Sequence, residues 1–249
     1  MAKKAKAKKQ SAKSSQRNAK KETPKQGFFA RWRRRVRRTL FAIVALWLIW
    51  IAAYGMFPVP TTPYMMAESV RHGDVDYQWV PMDDIAPVMA RSAVAAEDAN
   101  YCLHWGFDIT AIRHAIESGA RRGASTLSQQ VVKNAFLWHG RSWPRKALEA
   151  LTTPVVELMW SKRRILEVYL NIAEFDTGVF GVEAAARHYY GVGPEALTPT
   201  QAARLAAILP SPKSRDAANP GQFTRRRAAQ IIDGAATISA DGRASCFED

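Results

Sequence analysis

The chain has 249 residues, 47% of them hydrophobic, and a formal net charge of +14, which suits one compact domain with extra segments and leaves no room for a second large one. Residues 1–38 hold 16 Lys and Arg against the single acid Glu22, so the remaining 211 residues carry a net charge of −1. That split excludes nucleic-acid binding by the folded part, because a face that displaces phosphate counterions leaves its own domain basic.

The basic tail, 1–38, is rich in Lys, Ala, Ser and Gln and poor in large apolar residues before Phe28, so it is expected to stay disordered. From Leu40 to Phe57 the sequence LFAIVALWLIWIAAYGMF gives 18 residues without a charge. A helix of that length spans roughly 27 Å, close to the ~30 Å core of a bilayer, and a transmembrane helix is predicted over 39–58. Arg31, Arg33, Arg34, Arg35, Arg37 and Arg38 crowd its N-terminal edge, which puts the tail in the cytoplasm and everything after Phe57 outside. The tail's charge is read as topogenic. A cleaved signal peptide would have an apolar run of about 7–15 residues and an A-x-A-like site, and Tyr54–Pro63 offers none. A core helix would not be apolar on every face beside six arginines.

Pro58, Pro60 and Pro63 mark a stiff connector, 59–78, in which Tyr64, Met65 and Met66 are expected to rest on lipid. The folded domain is expected over 79–240. Asp83-Asp84 can cap a helix from Ile85 to Asn100, and Asp108 one from Ile109 to Arg121. Ser125 or Thr126 opens Leu127–Leu137, and Ser142 opens a long segment reaching Tyr169 in which Pro154 should force a bend or break. Thr198 before Pro199 opens a helix through Leu209, and Phe223–Ile238 forms the last. Almost no stretch alternates apolar and polar residues over more than four positions, so the fold class is mainly α. Cys102 and Cys246 lie far apart in sequence; a disulfide is permitted outside the membrane, but unpaired thiols are the expectation.

Two stretches concentrate chemistry: Glu97 to Asp108, EDANYCLHWGFD, and Gly123 to Asn134, GASTLSQQVVKN. In the first, successive helical side chains point about 100° apart, so only one of Glu97 and Asp98 can easily face a cleft. Acids near a helix end are commonly solvated, but two aromatics beside a glycine in His104-Trp105-Gly106-Phe107-Asp108 argue for a shaped corner. In the second, Gln129, Gln130, Lys133 and Asn134 fall within about two turns. A phosphate near Ser125, Thr126 and Lys133 would suit a helix N-terminus. Downstream, Arg145 and Glu149 taken alone read as an exposed i, i+4 ion pair.

Glu-Asp-x-x-aromatic-x-x-His-x-Gly, Gly-x-Ser-Thr-x-x-Gln-Gln-x-x-Lys-Asn, Arg-Lys-x-x-Glu, Tyr-Leu-Asn and Gly-Val-x-x-Ala-Ala follow in this order between Trp79 and Pro212. As a set they resemble the peptidoglycan glycosyltransferase family, which also forms the first catalytic domain of class A penicillin-binding proteins. The phrase Leu170-Asn171-Ile172-Ala173-Glu174-Phe175 looks most like the monofunctional biosynthetic branch, and no Ser-x-x-Lys nucleophile for transpeptidation occurs. Tyr101 stands where Phe is usual, so its hydroxyl needs a partner if buried, and Gly123-Ala124 replaces a frequent Gly-Gly.

The resemblance implies a lysozyme-like helical glycosyltransferase domain that polymerises lipid II, with the membrane and the growing glycan strand as partners alongside cell-wall synthesis or division proteins. In it Glu97 is the general base and Glu149 the second carboxylate. Asp98, His104, Ser125, Thr126, Gln129, Gln130, Lys133, Asn134, Arg141, Arg145 and Lys146 bind substrate. No organic cofactor is implied. A Mg²⁺ or Mn²⁺ at the donor pyrophosphate, with Asp98 as a contact, is compatible with the resemblance, although no cluster of ligands demands it. The rival readings are a membrane-anchored lysozyme-like hydrolase, which must keep one carboxyl protonated for a poor leaving group, and a non-catalytic membrane scaffold.

Overall fold

A computed structural model describes residues 28–119, 125–140 and 142–248; residues 1–27 of the tail, the Gly123-Ala124 pair and Arg141 lie outside them. Helix α1, Phe28–Met56, is long and apolar enough to cross a membrane. Its residues through Ile49 form one unit, and Trp50 onward belongs to a second, compact one. In the first, Leu40, Phe41 and Leu46 are exposed, the pattern of a helix that is apolar on every face.

The compact unit begins inside the last turns of α1. Trp160 Nε1 donates to Ile51 O at 3.0 Å, and Arg164 donates to Tyr54 O at 2.8 and 3.1 Å and also to Phe57 O. One guanidinium thereby satisfies carbonyls that a helix end leaves without partners. The expected connector folds as well: Thr62 caps α2, Pro63–His72, and Val59, Tyr64 and Met65 are buried. Tyr64 and Met65 therefore face inward, and of the three residues placed against lipid only Met66 is exposed.

Helix α3, Pro87–Glu97, starts and stops inside the expected span. Asp83 and Asp84 instead occupy a 3-10 turn, Met82–Asp84, because a residue preceding proline, here Ala86, is kept out of helical geometry. Asp108 caps α4, Ile109–Glu117, as expected, but the helix ends early at Gly119, whose φ of +75° suits glycine. Thr126 opens α5, Leu127–Phe136, with a capping box to Gln129. Ser142 opens α6, Trp143–Met159, which runs straight through Pro154. The hydrogen bond that proline removes is offset by burial of Thr152, Thr153 and Val156 around it, so the break falls at Trp160 and Ser161 caps α7, Lys162–Ile172.

Three short strands escaped the sequence because two or three residues cannot show alternation. β1, Asp76–Tyr77, pairs parallel with β3, Val179–Phe180, which pairs antiparallel with β2, Glu174–Asp176. Gly181 follows at φ +84°, where a Cβ would meet Asn171 O at 2.6 Å, and it opens the unexpected helix α8, Gly181–Tyr190. Thr198 caps α9, Pro199–Ile208, and α10 spans Gln222–Ala240. Ala203, Ala206, Ala207, Ala228 and Ile231 pack α9 and α10 against Ala95 and Ala96 of α3. A second layer packs Leu127, Val131 and Val132 of α5 near Ile165, Leu166 and Leu170 of α7, all fully buried.

A final turn, α11, Ser245–Glu248, brings Cys246 to Cys102, which lies in the 3-10 turn Tyr101–Leu103. The two form a disulfide with Cα atoms 5.6 Å apart, so the expectation of free thiols is corrected. Sequence separation misled because α10 returns the chain to the loop that leaves α3. Closing a loop of 144 residues is worth about 5 kcal/mol in the chain-entropy picture.

Candidate active site

Glu97 is the last residue of α3, where the helix must hand over to a loop. Arg227 of α10 donates to Ala96 O at 2.8 Å, fixing that helix end, and Glu97 Oε2 accepts from Gln130 Nε2 of α5 at 2.9 Å. Burial pushes the Glu97 carboxyl above its ordinary value; the Gln130 hydrogen bond and the charges of Arg227 and Lys133 pull it back only in part, and Asp98 pushes it further up. The result is a half-buried carboxylate of strengthened basicity.

Asp98 points the other way. Its Oδ2 accepts from Leu127 N–H at 3.0 Å and its Oδ1 lies 2.9 Å from His104 Nε2, so it ties the post-α3 loop to the start of α5. Thr126 and Gln129 close the capping box, and Thr126 Oγ1 also donates to Gly106 O at 2.7 Å. Asp98, His104, Thr126 and Gln129, all expected on substrate, are thus engaged with the protein itself. Tyr101 is fully buried and its hydroxyl donates to Lys162 O at 2.7 Å, so the departure from Phe is accommodated.

Gln130, Lys133 and Asn134 lie on the face of α5 that lines a groove of about 440 Å³, whose far side comes from Tyr169 of α7 and from the loop after α9. Burial, Arg145 and Lys146 depress the Lys133 ammonium, while Glu149 and Glu97 support it. Lys133 is therefore electrostatically between the two carboxylates. The first turns of α6 carry the rest of the set. Glu149 is 2% exposed, with Oε2 2.8 Å from Arg145 Nη1 and Oε1 bonded by Lys146, which also reaches Ser125 Oγ at 3.2 Å. The pair expected as an exposed surface bridge is buried, and a carboxylate neutralised twice over orients cations better than it accepts protons. Arg141 lies outside the described residues.

Sequence reasoning missed the far end of the groove. Tyr64 donates to Glu174, His139 stacks on Tyr64 with ring centroids 3.4 Å apart, and Lys213 pairs with Glu174 at 3.2 Å and with Glu68. The available signal was the acid Glu68, two residues after Met66 and so close to the three residues expected against lipid. Among the described residues no three His, Cys, Asp or Glu side chains converge as metal ligands, and Asp98, the one proposed contact, already has both oxygens engaged. The chemistry derived below is carried by the chain's own side chains.

A site that draws a proton at one end and gathers cations at the other has the division of labour of a glycosyl-transferring enzyme, in which a hydroxyl is activated and a negatively charged group departs. Comparison with known proteins agrees. The Transglycosylase family profile matches residues 65–236. The biosynthetic peptidoglycan transglycosylase of Jannaschia sp. (strain CCS1) is 64% identical over 215 residues, covering 86% of this chain and 90% of the relative. The protein of the same description from Caulobacter vibrioides is 44% identical over 227 residues, covering 87% and 98%. The one from Pectobacterium atrosepticum is 47% identical over 212 residues, covering 80% and 86%. The chain belongs to the transglycosylase family.

Proposed function

We propose that this enzyme polymerises lipid II into peptidoglycan glycan strands for the cell wall. Glu97 takes the proton from the 4-hydroxyl of the acceptor N-acetylglucosamine as that oxygen attacks C1 of the donor N-acetylmuramic acid. Undecaprenyl pyrophosphate leaves and the anomeric centre inverts. The observation that carries this reading is the Glu97–Gln130 hydrogen bond, which sets a desolvated base one contact away from a groove lined by Gln130, Lys133 and Lys213.

Gln130 holds the carboxylate in one orientation, so the base is positioned before substrate arrives. Lys133, with Arg145 and Lys146 behind it, receives the charge that develops on the departing pyrophosphate, and Glu149 keeps those cations from repelling one another. A good leaving group of this kind needs no protonated carboxyl, which distinguishes the reaction from hydrolysis by a lysozyme-like enzyme.

The reading places α1 in the inner membrane with its basic end in the cytoplasm and the catalytic unit on the outer side. The Cys102–Cys246 disulfide supports that side, since such bonds persist in oxidising compartments. Exposed Leu148, Leu151 and Leu158 make an apolar stripe on α6 that suits work at a lipid surface. A tethered enzyme and a lipid-linked substrate then share one thin layer, which raises their effective concentration.

The test is incubation of the purified full chain with labelled lipid II. Polymer together with released pyrophosphoryl lipid is the expected result; shortening of preformed glycan without polymer would establish the hydrolase, and neither product would leave a scaffold.

A further inference from the structure

The Transglycosylase match ends at residue 236, yet the chain continues into a segment that closes on the loop leaving the catalytic helix. Arg243, held by Asp241 at 2.8 Å, donates to Ala99 O at 3.1 Å, two residues past Glu97. Cys246 is bonded to Cys102 in the same loop. Phe247 is fully buried with its ring 6.3 Å from that of Tyr101, and its carbonyl accepts from Arg163 at 2.9 Å. Glu248 completes the set with an ion pair to Arg91 of α3 at 3.2 Å.

We propose that residues 241–248 form a clasp in which Cys102 and Cys246 act as positioning residues, so that the disulfide, together with Arg243, sets the placement of Glu97 and the oxidised chain is the fully active form. The inference rests on the reading of Glu97 as the base.

The loop from Asp98 to His104 is fastened on its inner side by Asp98 to α5 and by Tyr101 to Lys162. Its outer side is held by the clasp. Without the clasp, one side of a short loop loses its support, and a displacement on the order of 1 Å at a reacting group costs up to about a hundredfold in rate. Both cysteines are half-buried, so a reagent can reach them. In forming the bond the two thiols give two electrons and two protons to a disulfide-bearing oxidant, which leaves as two thiols.

The groups that face Glu97 are Gln130 and Lys133 from α5, Arg227 from α10, Asp98 from its own loop and Tyr169 from α7. A loosened loop admits water to that setting, so the acid limb of the rate profile should move down toward the ordinary carboxylate range.

The experiment compares the full-length enzyme oxidised, reduced with dithiothreitol, and reoxidised with glutathione disulfide, alongside the double variant Cys102→Ser/Cys246→Ser. Expected is a fall in kcat for lipid II between about tenfold and a hundredfold, with KM little changed and the acid limb lowered. Reoxidation should restore the wild type and leave the double variant unchanged. Unaltered kcat and pH profile with only a lower Tm would overturn the proposal and leave a plain structural staple. Should reduction unfold the chain by circular dichroism, Arg243→Ala with the disulfide intact decides: the same kcat loss and limb shift support the clasp, and wild-type kinetics refute it. Glu97→Gln separates the two readings, since turnover surviving in that variant would sink the base assignment whatever the redox response.

Discussion

Replacing Glu149 by Gln tests whether the second carboxylate is an electrostatic keystone. The side chain is 3% exposed, its partner Arg145 11% and Lys146 42%. Removing one member of a buried ion pair costs about 3–5 kcal/mol, because the other charge stays buried and unpaired. Lys146 is hydrated enough to lose little, and Arg145 keeps its bond to Gly140 O at 2.8 Å. The expected loss is therefore at or just below the low end, about 2–3 kcal/mol. In a unit of this size each kcal/mol lowers Tm by about 2–4 °C, giving a drop of roughly 5–10 °C. Thermal melts followed by circular dichroism read the stability, and lipid II polymerisation measured well below the melt reads the function. Lys133 also loses a supporting charge, so the alkaline limb of kcat/KM should move to lower pH. A Tm within about 2 °C of wild type would refute the buried-pair reasoning. A lowered Tm with unchanged polymerisation and an unmoved alkaline limb would show that Glu149 serves the fold and not the donor site.

Glu97→Gln should lower kcat by about 10²–10⁴-fold, the range for a general base, in the lipid II assay. The same variant should melt higher at neutral pH. The Glu97 carboxyl is raised in the folded state, so its contribution to stability is present below its unfolded value and lost as pH rises through the folded one; an uncharged amide avoids that loss, and equal melts across the pH range would contradict the burial argument. Lys133→Met is expected to reduce kcat by about 10²–10³-fold with the fold intact, measured by polymer yield and circular dichroism together. Gly181→Ala forces a Cβ to 2.6 Å from Asn171 O at φ +84°, and should cost about 1–3 kcal/mol or more in urea denaturation; an unchanged midpoint would show that the β3–α8 junction yields easily.

The chain's local signals fixed a great deal. The uncharged run beside six arginines marked out a helix long and apolar enough to cross a membrane. Capping side chains at Asp108, Thr126, Ser142 and Thr198 gave four helix starts, because a cap satisfies backbone donors within three residues and is complete in the sequence itself. Gln130 and Lys133 stood out by type and spacing, and Glu97 as one of a pair with Asp98, whereas Glu97 as the base and Glu149 as the second carboxylate came from the resemblance of the motif set. What spacing could not decide was where each side chain spends its polar atoms. Asp98 and Glu97 are neighbours of like chemistry, yet only Glu97 meets Gln130 at the groove, since Asp98 finds the N–H of Leu127, 29 residues away. Arg145 and Glu149 have the spacing of a surface pair, and only the packing around α6 buries them. The disulfide and the Tyr64–Glu174 end of the groove depend on contacts across 144 and 110 residues, and the three-stranded sheet on strands too short to pattern. Such contacts are set by the return path of the chain, which no local propensity encodes; hydrogen bonds made within a turn are legible in sequence, and those made across the core are decided only when the helices pack.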